Sequence, residues 1–80
     1  MRNEQLHNTM KVERARRNLT QADLAALAGV TRRSINAIES GRMIPSVLLA
    51  IKIARSLDVA VETLFVLDAA AEAPPKQATG

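Results

Sequence analysis

Eighty residues suit a single domain, and 48% apolar content with one aromatic residue, Phe65, demands an aliphatic core of Leu, Ile, Val and Ala. The absence of cysteine excludes a disulfide framework, a cysteine-ligated zinc finger and thiol chemistry, while the absence of Trp and Tyr argues against aromatic platforms for single strands. The net charge of +3 is uneven: residues 1–45 hold eight Lys/Arg against four acids, and residues 46–80 hold three against four, the kind of asymmetry a nucleic-acid footprint leaves.

Residues 1–7 are polar and unpatterned and are expected to form a flexible lead-in to a domain spanning 8–67. Asn8 or Thr9 can cap a first helix, Met10–Arg17, with Met10, Val12 and Ala15 as its apolar positions and Asn18 as its end. Leu19 then points back into the core. Thr20 opens a second helix with Asp23 three residues on, a capping arrangement ahead of Leu24, Leu27 and Ala28, and Gly29 closes it after two turns. Ala25, Ala26 and Ala28 supply the small side chains that a steep helix crossing needs.

The third helix starts almost at once in "GVTRRSINAIESG". Thr31 is its N-cap, the helix runs from Arg32 to Glu39 or Ser40, and Gly41 stops it. Ile35 and Ile38 form its buried stripe. Arg32 and Arg33 stand at its positive end, where each cation costs about 0.3–1 kcal/mol. Either they are solvated and carry that small penalty, or something anionic meets this end of the helix.

Pro45 disfavours helix at Ile44, so Arg42–Pro45 is a loop. Ser46 caps a fourth helix, Val47–Leu57, which is apolar nearly all round where a surface helix needs one stripe. Asp58–Ala60 turns the chain, with Asp58 expected in the left-handed region. Val61–Phe65 makes a last short helix, extending at most through Val66 and Leu67. From Asp68 onward the Ala/Pro-rich residues 68–80 are expected to be a disordered tail.

From Thr20 to Gly41 the chain resembles the helix-turn-helix of the lambda-repressor-like (Cro/cI, Xre) regulators, through Gln21, Leu24, Ala25, Gly29, Val30, Ile35, Ile38 and the "IESG" ending. The flanks "KVERARRNLTQADLA" and "PSVLLAIKIARSLDVAVETLF" extend the likeness over residues 8–67. The resemblance implies an all-α, five-helix DNA-binding domain whose helix Arg32–Glu39 enters the major groove of double-stranded DNA. It places Arg32, Arg33, Asn36 and Ala37 at base-reading positions, Arg32 and Arg33 suited to guanine, Asn36 to adenine and Ala37 to a thymine methyl. Gln21, Thr31 and Arg42 fall at phosphate-contacting positions, Gln21 also as a buttress for the third helix. Arg14 and Glu39 match a structural ion pair between the first and third helices, while Arg16 and Arg17 are expected to be solvated. Asp58 and Ala60 depart from the Gly and Ser often found in the last turn, and Ala60 makes a poor cap that Glu62 partly offsets through the helix dipole.

A sequence-specific transcriptional regulator follows, with repression by occlusion as the simplest mode. Leu48 and Ile51 on the fourth helix, with Ile44 and Phe65 nearby, are expected to form a homodimer interface, so that two copies read a palindromic site with half-sites about 34 Å apart. The alternative is a protein-interaction module, such as an antitoxin or anti-repressor, that uses the same apolar face. No enzyme is expected: His7 lies in the lead-in, and Ser34, Ser40 and Ser46 have no base in a triad order. Three glycines make no phosphate loop, so neither a cofactor nor a metal is expected. No apolar run reaches membrane-span length and no signal-peptide core stands at the N-terminus, which points to a cytoplasmic protein without a membrane partner.

Overall fold

Residues 5–68 are described by the computed structural model, and within them five helices are enclosed by a two-stranded ribbon. In chain order the elements are β1 (Gln5–Asn8), α1 (Met10–Arg16), α2 (Gln21–Ala28), α3 (Arg32–Glu39), α4 (Val47–Ser56), α5 (Val61–Leu64) and β2 (Phe65–Asp68).

Local chemistry sets the helix ends. At the start of α2 the Asp23 N–H donates to Thr20 Oγ1 at 3.0 Å and the Thr20 N–H donates to Asp23 Oδ2 at 2.9 Å, a complete capping box. Those two bonds from Thr20, the backbone N–H foremost, hold the Asp23 carboxyl below its ordinary pKa. Thr31 and Ser46 accept the N–H groups of Ser34 and Leu49 and start α3 and α4 in the same way. Gly29 at φ 72° turns the chain out of α2, so the Val30 N–H closes on the Ala25 carbonyl at 2.9 Å. Asn18 and Asp58 take the same left-handed conformation without being glycine, at φ 56° and 58°. Ala60 heads α5 with no side-chain cap. Asn8, rather than Thr9, serves the start of α1: its Oδ1 accepts the Met10 N–H at 3.2 Å, while the Thr9 hydroxyl donates to the Thr63 carbonyl.

Met10, Leu24, Ile35, Ile38, Ile53, Leu57 and Leu64 are fully buried, one or two from each helix, and each contributes roughly 1.5–3 kcal/mol by leaving water. Ala25, Ala28 and Ala54 fill the gaps where α2 and α4 cross. Leu19, Val30, Met43 and Phe65 pack round the rim. Val12, Ala15, Ala26 and Leu27 instead face outward, because helices of seven or eight residues present only one narrow stripe to this core.

The ends of the domain differ from expectation. Residues 5–7 are not a loose lead-in but part of β1, which pairs antiparallel with β2 in the register Leu6↔Leu67 and Asn8↔Phe65. The last helix therefore stops at Leu64, and Phe65, Val66 and Leu67 are extended, since their N–H and C=O groups find cross-strand partners that a helix end lacks. Asp68 belongs to β2 rather than to a tail. The expected disordered segment otherwise falls on residues 69–80, which lie outside the described residues.

Candidate nucleic-acid interface

The first turn of α3 carries its charge outward. Arg32 and Arg33 are exposed, and with Gln21 and Asn36 they line a shallow concavity between the N-terminus of α2 and the face of α3. No described carboxylate pairs with Arg32, Arg33 or Arg42. Their charge is thus uncompensated, and at the start of α3 it stands against the helix dipole. Ile35 and Ile38 hold the opposite face of the helix in the core at 0% and 1% exposure, which fixes the direction in which the arginines point.

A chain of hydrogen bonds braces this surface from behind. Arg14 grips Glu39 with both prongs, Nε to Oε2 at 2.5 Å and Nη2 to Oε1 at 3.1 Å, and its Nη1 donates to the Leu19 carbonyl at 2.8 Å. The side chains are 14% and 8% exposed, and the bond from Arg14 to the Glu39 carboxylate raises the guanidinium's pKa further. Gln21 Nε2 donates to Glu39 Oε1 and to Asn36 Oδ1, each at 3.2 Å. α1, α2 and α3 are thereby joined through four side chains.

The other candidate residues fall in place as follows. Thr31 is exposed, its hydroxyl accepting the Ser34 N–H and donating to Ser34 Oγ, both at 3.1 Å. Ala37 is half-buried, and its carbonyl receives the N–H groups of Arg42 and Met43 at 2.9 and 3.1 Å, so the loop folds back under the helix. Gly41 at φ 82° makes that reversal and leaves Arg42 exposed beside the end of α3. On α4, Leu48 and Ile51 are 68% and 40% exposed, and Ile44 and Val47 extend the same apolar surface. Phe65 is not openly displayed with them: it is half-buried against the core, in a groove shared with Ile44 and Leu6.

Two features escape the sequence reading. Glu13 is 5% exposed and bonds Arg17 at 2.7 Å, so Arg17 is not merely solvated; their i, i+4 spacing carried the available signal. Arg16 remains largely exposed, 3.7 Å from Glu13. Asn8 Nδ2 donates to the Ile38 carbonyl at 3.0 Å and ties β1 to the C-terminal end of α3, a contact between residues with no local relation.

The sequence model of the helix-turn-helix family matches residues 10–64. An HTH-type transcriptional regulator of Methanocaldococcus jannaschii is 46% identical over 63 residues, covering 79% of this chain and 96% of the relative. The HTH-type transcriptional regulator YgzD of Bacillus subtilis is 40% identical over the same shares of the two chains. Among solved structures, the restriction-modification controller protein C.AhdI from Aeromonas hydrophila aligns with a TM-score of 0.67 at 30% identity, covering 70% of this chain and 85% of that one. A putative DNA-binding protein from Bacteroides fragilis aligns at 0.68 and 28%, over 76% and 98%. With its capped α2–α3 pair and outward arginines, the chain belongs to the lambda-repressor-like (Xre) helix-turn-helix family of DNA-binding transcriptional regulators.

Proposed function

We propose that this regulator binds a specific double-stranded DNA sequence by inserting the first turns of α3 into the major groove and represses transcription by occlusion. The observation that carries the reading is the unpaired display of Arg32 and Arg33 on a helix braced from behind by Gln21, Glu39 and Arg14. A rigid helix with free guanidinium groups matches the acceptor pair of guanine, and the unfavourable dipole position is offset once phosphates and bases surround it. Arg42 and Thr31 flank the helix and serve the phosphate backbone, and Ala37 offers only a methyl contact. The family is one of regulators, and the protein acts in the cytoplasm without catalysis or a cofactor.

Two copies complete the reader. Ile44, Val47, Leu48 and Ile51 form one exposed apolar surface, at 75%, 77%, 68% and 40% exposure, and burying it against its own copy gives a two-fold dimer suited to a palindromic operator. The same surface supports a second reading, in which a different protein covers it and controls DNA binding.

Selection from random duplexes, followed by titration at several salt concentrations, tests the proposal. A palindromic motif, a log–log salt slope near −0.9 per phosphate contact, and loss of the motif in an Arg32→Ala/Arg33→Ala variant are expected. Equal, unselective binding by both proteins would overturn it.

A further inference from the structure

The hydrogen-bond chain behind α3 dictates which way the Asn36 amide faces. Glu39, an ionised carboxylate gripped by Arg14, can only accept, so the Gln21 atom bonded to it must be the Nε2 amide nitrogen. The same Nε2 lies 3.2 Å from Asn36, so Asn36 must present its oxygen there. The orientation of an amide is ordinarily ambiguous between O and N, but here the carboxylate at the head of the relay resolves both. Both Nε2 hydrogens of Gln21 are committed, and the Asn36 oxygen is turned back toward α2. What Asn36 offers along its exposed side is the Nδ2 amino group.

Resting on the DNA-reading role proposed above, we propose that Asn36 is a donor-only specificity residue, polarised by the Arg14–Glu39–Gln21 relay, and that it selects guanine rather than adenine at the base it meets. Adenine pairs with an Asn amide through both edges at once, its N6 amino group donating to the oxygen and its N7 accepting from the nitrogen. With the oxygen held by Gln21, that two-edged match is broken. Guanine presents N7 and O6, two acceptors side by side, and suits an outward amino group. Adenine, the base that the residue type alone suggests, would instead set its own N6 donor against the amino group's hydrogens.

The test reads base preference at one position. Duplexes carrying the selected motif are varied through all base pairs, and the Asn36 position is the one whose preference collapses in Asn36→Ala. Wild type is expected to favour guanine over adenine there by roughly fivefold or more, and 7-deazaguanine, which lacks the N7 acceptor, to lower that preference. Asn36→Asp replaces the donor by acceptors and should move the preference to cytosine, whose N4 amino group donates. Gln21→Leu releases the Asn36 oxygen and should shift the position toward adenine, leaving the positions read by Arg32 and Arg33 unchanged. A loss of fold in Gln21→Leu would appear as a lower melting temperature, and Asn36→Asp then carries the test. A motif with adenine opposite Asn36 in wild type, or a guanine preference that a folded Gln21→Leu leaves intact, overturns the inference while the DNA-reading role stands. Selection that returns no motif from wild type overturns both.

Discussion

Replacing Arg14 by methionine would strand the Glu39 carboxylate. That side chain is only 8% exposed, and the substitution removes both guanidinium bonds and leaves only Gln21 Nε2 as partner. The bond to the Leu19 carbonyl is lost too. Removing one member of a buried pair costs about 3–5 kcal/mol. A domain of this size has roughly 4–12 kcal/mol in total, so the variant should keep half of its stability or less. Urea denaturation followed by helical circular dichroism at pH 7 measures this directly, with an unchanged slope required for the comparison. The sign with pH is also determined. Without Arg14, burial raises the folded-state pKa of Glu39 above its unfolded value near 4.3. A raised folded pKa stabilises the fold only where the group is protonated, so the deficit should shrink below about pH 4.5 and be full at neutral pH. Adding Glu39→Met removes the stranded charge and should recover most of the loss. A cost under about 1 kcal/mol for Arg14→Met would mean that the pair is solvent-separated and contributes no more than a surface ion pair does.

Gly29→Ala should cost about 1–2 kcal/mol through its left-handed φ of 72°, because an added Cβ meets nothing nearer than Lys52 Nζ at 3.9 Å. Asp58→Gly should gain up to about 1 kcal/mol at φ 58° by the same reasoning reversed, and paired thermal melts of the two variants check both signs. Thr20→Ala should cost about 0.5–2 kcal/mol at pH 7. The Asp23 part of that box, whose carboxyl has a lowered pKa, is fully present above about pH 4 and fades as pH falls through the depressed value, so melts at successively lower pH should show wild type and Asp23→Asn converging. Leu48→Glu at a 68% exposed position should leave the melting temperature of the monomer nearly unchanged, yet abolish dimers in analytical ultracentrifugation and weaken operator binding. An unchanged dimer would place the contact elsewhere.

The sequence by itself determined the five helices and most of their ends, because the signals are local. A Thr with Asp three residues on, a Thr or Ser ahead of a helix, and a Gly or Asp that tolerates positive φ act within a single turn, and each sits where the chain starts or stops a helix. The outward placement of Arg32 and Arg33 was legible for the same reason, since Ile35 and Ile38 set the phase of the helix. The ribbon was not legible: four-residue strands carry too little alternation to announce themselves, and β1 and β2 come from opposite ends of the domain. The burial of Glu13 and the tie from Asn8 to Ile38 likewise depend on which helix packs beside which. So does the facing of Asn36. Its residue type suggests an adenine reader, but the direction of its amide is decided by a carboxylate on the next turn of its own helix, an arginine on α1 and an amide on α2, groups that only the packed domain brings together.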